Sequence, residues 1–413
     1  MAVLFQGLTW VDKGKSQKGD FLFDQGRLLP LDSSRDFKGL EIINSEGWIA
    51  SKSWVDLRVS AGEPGLEHKE TIQSLCDSLY VSGFSAAVIM PNTQPVIQNK
   101  GLVDFIKNKS ASSSVELIPQ AAVTIDLKGD DFTEMLDMHY QSGVTVFGEG
   151  KEPLSNSDRF LKTIQYLQKI NGVLFDHSYD PLLAIFGQMH EGDVSTKLGL
   201  KGIPRLAEEV AIQRNLELIR YAGGRVHFQT ISSAKSVELI REAKKEGLNV
   251  TADVSVFQLI FSDEDLVEFD TNLKVLPPFR GKEDQNALIG GLKDGTIDAI
   301  VSNHQPEDFD SKFMEFDLAA FGMAGLQTFL PAMTQLEKKL GWELLLEKIT
   351  DGPLSVLGRS EVEEITIFDP KEAWTYDHES NRSLAYNHPW FGKELVGKVK
   401  YRIDKGSLVK IHD

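Results

Sequence analysis

Residues 54–71 read WVDLRVSAGEPGLEHKET, and residues 90–95 read MPNTQP. Outward from them, to about residue 349, short apolar runs recur: AAVIM (86–90), GVTVF (143–147), GVLFD (172–176), RVHF (225–228), NVTADV (249–254) and DAIVSN (298–303). Helical stretches separate these runs. SDRFLKTIQYLQKI and SSAKSVELIREAKKEG place apolar residues at i, i+3, i+4 and i+7. Strand–helix units repeated over about 300 residues predict a parallel barrel or a doubly wound sheet. Periodicity alone does not choose between them.

The two ends of the chain read differently. LFQGLTWV, DFLFDQGRLLPL and LEIINSEGWIA are β-like runs with turn signals at Gln25-Gly26 and Glu46-Gly47. EEITIFDP and GKVKYRIDKGSLVKIHD repeat the pattern at the far end. Neither end has enough strands for a stable sheet of its own. Pairing them solves that problem, so segments 1–50 and 350–413 are predicted to form one small β-sandwich beside a central unit at 51–349.

The opening stretches resemble the start of a dihydroorotase, a family of the amidohydrolase superfamily whose barrel begins D-x-H-x-H-x-R-E-P-G. Asp56, Glu63, Pro64 and Gly65 stand in register. The two histidine positions hold Arg58 and Ser60, and the arginine position holds Gly62. The likeness continues along the chain. Residues 199–254 resemble the family's fourth-to-sixth strand region and 272–306 its seventh and eighth, while 321–331 and 387–406 resemble two later signatures. Their joint order and spacing are similar to the dihydroorotases that resemble hydantoinases and allantoinases. The resemblance implies an α/β fold: a (β/α)₈ TIM-type barrel plus a small β-sandwich built from both termini.

Composition narrows the function classes. The chain has 413 residues, 41% of them hydrophobic and 25% charged, as in an ordinary globular protein. No apolar run reaches the roughly 20 residues a membrane span needs, and the first residues do not read as a signal peptide. A formal net charge of −17, dispersed along the chain, argues against a nucleic-acid partner. Cys76 is the single cysteine, so no intramolecular disulfide forms, which fits a cytoplasmic location. SLCDSLYVSGF around it reads as an amphipathic helix with a buried thiol. Among nine histidines no two stand at i,i+2 or i,i+4, so H-x-H and H-E-x-x-H zinc motifs are absent.

In such a barrel, chemistry sits at the C-terminal strand ends. A metal hydrolase needs imidazoles and carboxylates there to hold an ion that activates water. Matched to the family, the ligand positions are Arg58, Ser60, Glu149, His177, Thr230 and Asn303. Arginine does not give up its proton and cannot ligate a cation. Its fixed charge would oppose a metal and could stand in for one; the plainer reading is an arginine facing solvent or paired with a carboxylate. Glu149, in Gly148-Glu149-Gly150, keeps one carboxylate, read either as a ligand or as a loop residue. His177, in LFDHSYD, is the surviving matched imidazole and alone would not hold zinc tightly. Thr230 replaces the second histidine of H-x-x-H-x-S-T, and His227 of that motif reads as structural. Val256-Phe257-Gln258 replaces a P-H-H.

Asn303 stands at the aspartate that, by the resemblance, shuttles the proton, and an amide cannot accept it at neutral pH. Glu307 replaces the final histidine of T-D-H-A-P-H. Asn92 and His304 remain as candidate substrate contacts, although an N-T-x-P turn also caps helices and closes loops. Leu276 stands where the family has an asparagine. No catalytic residue and no cofactor are therefore expected, and zinc only if the chain is an enzyme. The leading expectation is an inactive dihydroorotase homologue of pyrimidine biosynthesis, retained as a structural or regulatory partner, with aspartate transcarbamoylase the partner the resemblance implies. The alternative is a functioning dihydroorotase or other cyclic-amide hydrolase with a remodelled site. A small-molecule ligand in the barrel and a homo-oligomer are further expectations, with no nucleic acid and no membrane.

Overall fold

A computed structural model describes residues 2–31 and 40–411. Residues 1, 32–39 and 412–413, parts of the two terminal segments, lie outside the described residues. Eight short parallel strands form the central unit: Trp54–Val59, Phe84–Ile89, Glu116–Pro119, Val146–Gly148, Val173–Asp176, Val226–Phe228, Val250–Ser255 and Ala299–Val301. The first three pair in order, as do the last five. Parallel bridges Ala121↔Phe147 and Val59↔His304 close the two arcs into a barrel.

The sequence pattern passes over one of these strands. Glu116–Pro119 is four residues long and ends at proline, so it carries too little periodicity to register. Its omission shifts the count. The 199–254 region, expected to span the fourth to sixth strands, contains the sixth and seventh.

Alternation along the strands fills the barrel with Val55, Leu57, Ala86, Val88, Ile118, Val146, Val173, Phe175, Ala299 and Val301. Leu354 and Val356 of helix Asp351–Leu357 belong to the same cluster. That helix, which the sequence reading grouped with the C-terminal segment, packs on the barrel interior. The outer helices bury one face each. Ser157–Gln168 starts on an Asn156 cap and buries Phe160, Ile164 and Leu167. Ala234–Lys245 starts on Ser233 and buries Val237 and Ile240. Cys76 is buried on helix Ile72–Val81.

The termini share one mixed sheet. Val3–Asp12 pairs with Lys15–Asp24 and, in parallel, with Glu41–Asn44 and Ile49–Lys52. Ile49–Lys52 then pairs antiparallel with Ile365–Thr375, which pairs with Glu394–Asp404. Period-two alternation gives the sheet two buried sides. Ile367 joins Val3, Phe5, Phe21, Phe23 and Ile403 in one cluster. Its neighbour Phe368 faces the barrel, with its ring 5.6 Å from that of Trp54. Arg402 ties the two units together by donating to the carbonyls of Tyr80 and Phe84 at 3.1 and 2.6 Å.

Candidate functional site

Arg58 and Ser60 stand at the C-terminal end of strand one, where its pairing register shifts between Asp56 and Val59. Asp56 is fully buried and accepts from the Arg58 and Ser302 amides at 2.9 and 3.0 Å, which pins strand one to strand eight. Burial pushes its carboxyl up to about 7.

Arg58 is also fully buried. Its Nε donates to Asn303 Oδ1 at 3.0 Å, and its Nη1 to Gln229 Oε1 at 2.7 Å and the Gly150 carbonyl at 3.2 Å. It therefore neither faces solvent nor pairs with a carboxylate, the two plainer readings of the sequence. It spans the barrel mouth and joins strands one, four, six and eight through neutral oxygens. Burial lowers its pKa to about 10, far above neutrality, so the charge stays.

The other matched positions close around it. Asn303 Oδ1 accepts from Gln305 Nε2 at 2.9 Å as well as from Arg58, and its amide nitrogen reaches the Leu276 carbonyl at 3.4 Å. Glu149 accepts from the Val123 and Thr124 amides at 3.0 and 2.8 Å and from the Thr124 hydroxyl at 2.8 Å. This satisfies the carboxylate within the loop after strand three, although burial still raises its pKa to about 7. His177 donates from Nδ1 to the Lys151 carbonyl at 2.9 Å. Burial, then the Arg58 charge, lowers it to about 3, so the ring is neutral. The Thr230 amide donates to Asp253 Oδ1 at 2.6 Å. His227, buried inside the barrel, bonds Thr251 Oγ1 and Asp253 Oδ2, both at 2.8 Å, which fits its structural reading.

The candidate substrate contacts are engaged elsewhere. Asn92 accepts from the Lys151 amide at 2.9 Å and braces the loop after strand four. It caps no helix; Asn99 caps Lys100–Ser110. Gly150 has φ +66°, and a Cβ there would lie 1.9 Å from Asn92 Oδ1, so the two residues are fitted to each other. His304 accepts the Gly325 N–H at Nδ1, 3.2 Å away, and turns Nε2 to within 3.4 Å of Glu70. The structure does not bring it to Arg58. Gly62 has no room for a side chain: a Cβ would meet Leu66 O at 2.2 Å and Glu70 O at 2.5 Å.

Three glutamines that the sequence gave no role complete the plug. Gln229 and Gln305 bond Arg58 and Asn303, and Gln258 donates to the Pro277 carbonyl at 2.8 Å. Their one sequence signal was position, next to or at matched ligand sites. At the rim, Glu307 binds Lys69 and lies 3.9 Å from Lys151 Nζ. Beside Asn303 and Gln305 remains a cavity of about 10 Å³. A metal centre does not fit this donor set. A guanidinium fills the mouth, the carboxylate is spent on loop amides, and the remaining imidazole is held by a carbonyl. Among the described residues no group of three or more His, Cys, Asp or Glu side chains is placed to hold an ion.

The sequence profile of the family described as Dihydro-orotase-like matches residues 49–236. A protein named dihydroorotase from Caldanaerobacter subterraneus subsp. tengcongensis is 34% identical over 416 residues, covering 98% of this chain and 96% of its own. The chain belongs to the dihydroorotase family. A second dihydroorotase, from Syntrophus aciditrophicus, is 33% identical over 429 residues and the full length of both. Among solved structures, L-hydantoinase (dihydropyrimidinase) from Arthrobacter aurescens superposes with a TM-score of 0.85 at 21% identity, covering 99% and 96% of the two chains. Dihydropyrimidinase from Brevibacillus agri gives 0.81 at 16% identity, covering 99% and 95%. At these identities the likeness shows the amidohydrolase barrel fold, the one expected from the sequence. No helix among the described residues is long and apolar enough to cross a membrane.

Proposed function

We propose that this dihydroorotase-family protein does not hydrolyse dihydroorotate and serves pyrimidine biosynthesis through its shape, as a structural or regulatory partner of aspartate transcarbamoylase. The observation that carries this reading is the Arg58–Asn303 bond of 3.0 Å. Opening a cyclic amide needs an activated water, a proton acceptor and an anchor for the substrate's carboxylate. Here the matched acceptor is an amide whose oxygen already takes two hydrogen bonds. The matched ligand position projects a cation, and the matched anchor is a glycine without space. Losing the general base alone removes about 10²–10⁴ in rate.

A second reading, a functioning dihydroorotase or other cyclic-amide hydrolase, is favoured by the full-length relatives of that name. Assay of zinc-supplemented protein in both directions, dihydroorotate hydrolysis and carbamoyl-aspartate cyclisation, decides between the two. No turnover together with substoichiometric zinc is expected. Turnover that tracks the purified protein and its zinc content would establish the second reading. The partner is tested by purification from native cells, with aspartate transcarbamoylase the expected co-purifying enzyme.

A further inference from the structure

A larger cavity lies at the barrel rim, outside the plug around Arg58. Its volume is about 440 Å³, and four segments line it: His68 after strand one, 270–272 after strand seven, 307–313 after strand eight, and 384–391 of the C-terminal segment. Small-molecule sites occupy roughly 300–1,000 Å³ and combine apolar or aromatic walls with a few polar groups. The walls here have that composition. Phe309 and Phe313 stack with ring centroids 4.7 Å apart and planes 19° from parallel, yet stay 52% and 77% exposed. Tyr386 and Phe391 form a second aromatic pair, 4.9 Å apart. The frame is already braced: Asn387 accepts from the Glu307 amide at 3.1 Å and donates to the Gln305 carbonyl at 3.2 Å.

The charged groups of this cavity are mostly of one sign. Asp270, Glu307 and Asp308 line it, and the one lysine among the lining residues, Lys312, turns its ammonium to the Ala320 and Gly322 carbonyls at 2.8 and 2.9 Å. Burial lowers the Lys312 pKa to about 7, so about half of its charge is gone at neutral pH. Glu307 is answered by Lys69. Asp308 accepts from the Ser311 amide at 2.7 Å, and its other oxygen stands 3.2 Å from His68 Nε2, an ion pair only when that ring is protonated. Asp270 Oδ1 accepts from the Asn272 amide at 2.9 Å, and among the described residues nothing bonds its other oxygen. We propose that this cavity binds a small aromatic cation, an amine- or amidine-bearing ring that lies against Phe309 and Phe313 and donates its N–H groups to Asp270 and Asp308. An aromatic face attracts a cation, and N–H donation to a carboxylate is charge-assisted. The same carboxylates repel a phosphate or carboxylate ligand. Arg58, Gln229, Asn303 and Gln305 do not line the cavity, so the site does not depend on whether the protein turns over dihydroorotate.

Benzamidinium is the probe. It is titrated into the full-length protein near neutral pH at constant ionic strength and followed by ligand-observed NMR and calorimetry. Benzoate, the same ring with the opposite charge, and guanidinium, the charge without the ring, are the controls. Saturable benzamidinium binding is expected, with no binding of benzoate and weaker binding of guanidinium. Asp270→Asn keeps a side-chain oxygen for the Asn272 amide and removes the charge, and is expected to weaken benzamidinium about tenfold. Phe313→Ala removes a largely exposed ring and is expected to weaken it about threefold. Unchanged melting curves show that both variants remain folded. Benzoate binding as tightly as benzamidinium, or an equal affinity in Asp270→Asn, overturns the proposal. So does a Phe313→Ala variant that changes the sedimenting species while the unmodified protein binds no benzamidinium, which would assign the face to a second copy of the chain.

Discussion

Glu149 offers a sharp test of the site as built. If it were a metal ligand, its removal would leave the fold largely untouched; if it braces the loop after strand three, the loop should fail. Glu149→Ala takes the acceptor from two buried amides, Val123 and Thr124, and from the Thr124 hydroxyl. Each buried amide left without an acceptor costs about 1–3 kcal/mol, so the expected loss is roughly 2–6 kcal/mol. Glu149→Gln keeps one oxygen for both amides, and the Thr124 hydroxyl, which also accepts from Gly129, rotates to meet the new NH₂. Its expected loss near neutral pH is about 1 kcal/mol. The pH dependence carries a definite sign. The folded-state pKa of about 7 lies above the ordinary 4.5. The protonated form is therefore favoured by folding, and its stabilisation is complete below about 4.5 and lost as pH rises through 7. At ~1.4 kcal/mol per pH unit the loss is about 3 kcal/mol. The glutamine variant lacks this term, so its deficit against the unmodified protein should shrink by about that much between pH 4.5 and 7. Urea unfolding at a series of pH values measures all three quantities. A Glu149→Ala loss under about 1 kcal/mol, or a glutamine deficit that grows with pH, would refute the bracing role.

Asn303→Asp should not restore dihydroorotate hydrolysis. The new carboxylate would face the Arg58 guanidinium at the present 3.0 Å and form a buried ion pair rather than a free base; turnover in that single variant would show that Arg58 does not hold it. Gly62→Ala should lower Tm clearly, because its Cβ meets backbone atoms of Leu66 and Glu70 that cannot swing aside, and overpacking of this kind costs about 1–3 kcal/mol; an unchanged melting curve would mean the loop is looser than drawn. The His177 ring should stay in one neutral tautomer from pH 5 to 8 in nitrogen-detected NMR, since its pKa lies near 3. Holding it neutral weakens the fold as pH falls below its ordinary 6.5 towards that value. A titration near 6.5 would place it in water.

The barrel was legible because its opening strand, its helices and its later signatures sit in fixed order. The apolar spacing of SSAKSVELIREAKKEG declared its buried Val237–Ile240 face. The shared terminal sheet followed from a shortage of strands at each end. What stayed hidden was short or non-local. Glu116–Pro119 has too few residues to show a period. The resemblance placed Arg58 at the mouth, but a one-dimensional pattern does not say whether a long side chain turns inward. That depends on Gln229, 171 residues away, and Asn303, 245 residues away, offering acceptors at the right depth. The placement of His304 was equally non-local. It sits next to a matched residue, but just past the strand and after the left-handed Asn303, and its ring ends beside Gly325 and Glu70.

Two residues at the mouth carry backbone strain. Thr230 and Asn303 occupy left-handed conformations, with φ 47° and 49°. Asparagine tolerates that region, but a β-branched threonine is a real outlier there, at an expense of order 1–3 kcal/mol. Such strain persists only where the surroundings over-determine it. At Thr230 the surroundings are visible: its amide is drawn to Asp253 Oδ1 at 2.6 Å, and Asp253 is itself fixed by His227. At Asn303 the neighbouring Ser302 amide is held by Asp56, whose other oxygen takes the Arg58 amide. Both strained turns are thus anchored by buried carboxylates one layer below the mouth. The guanidinium that these strand ends surround is answered by polar side chains and a backbone carbonyl. Asn303, Gln229 and the Gly150 carbonyl answer three of its N–H directions, and Nη2 makes no hydrogen bond to a described protein group.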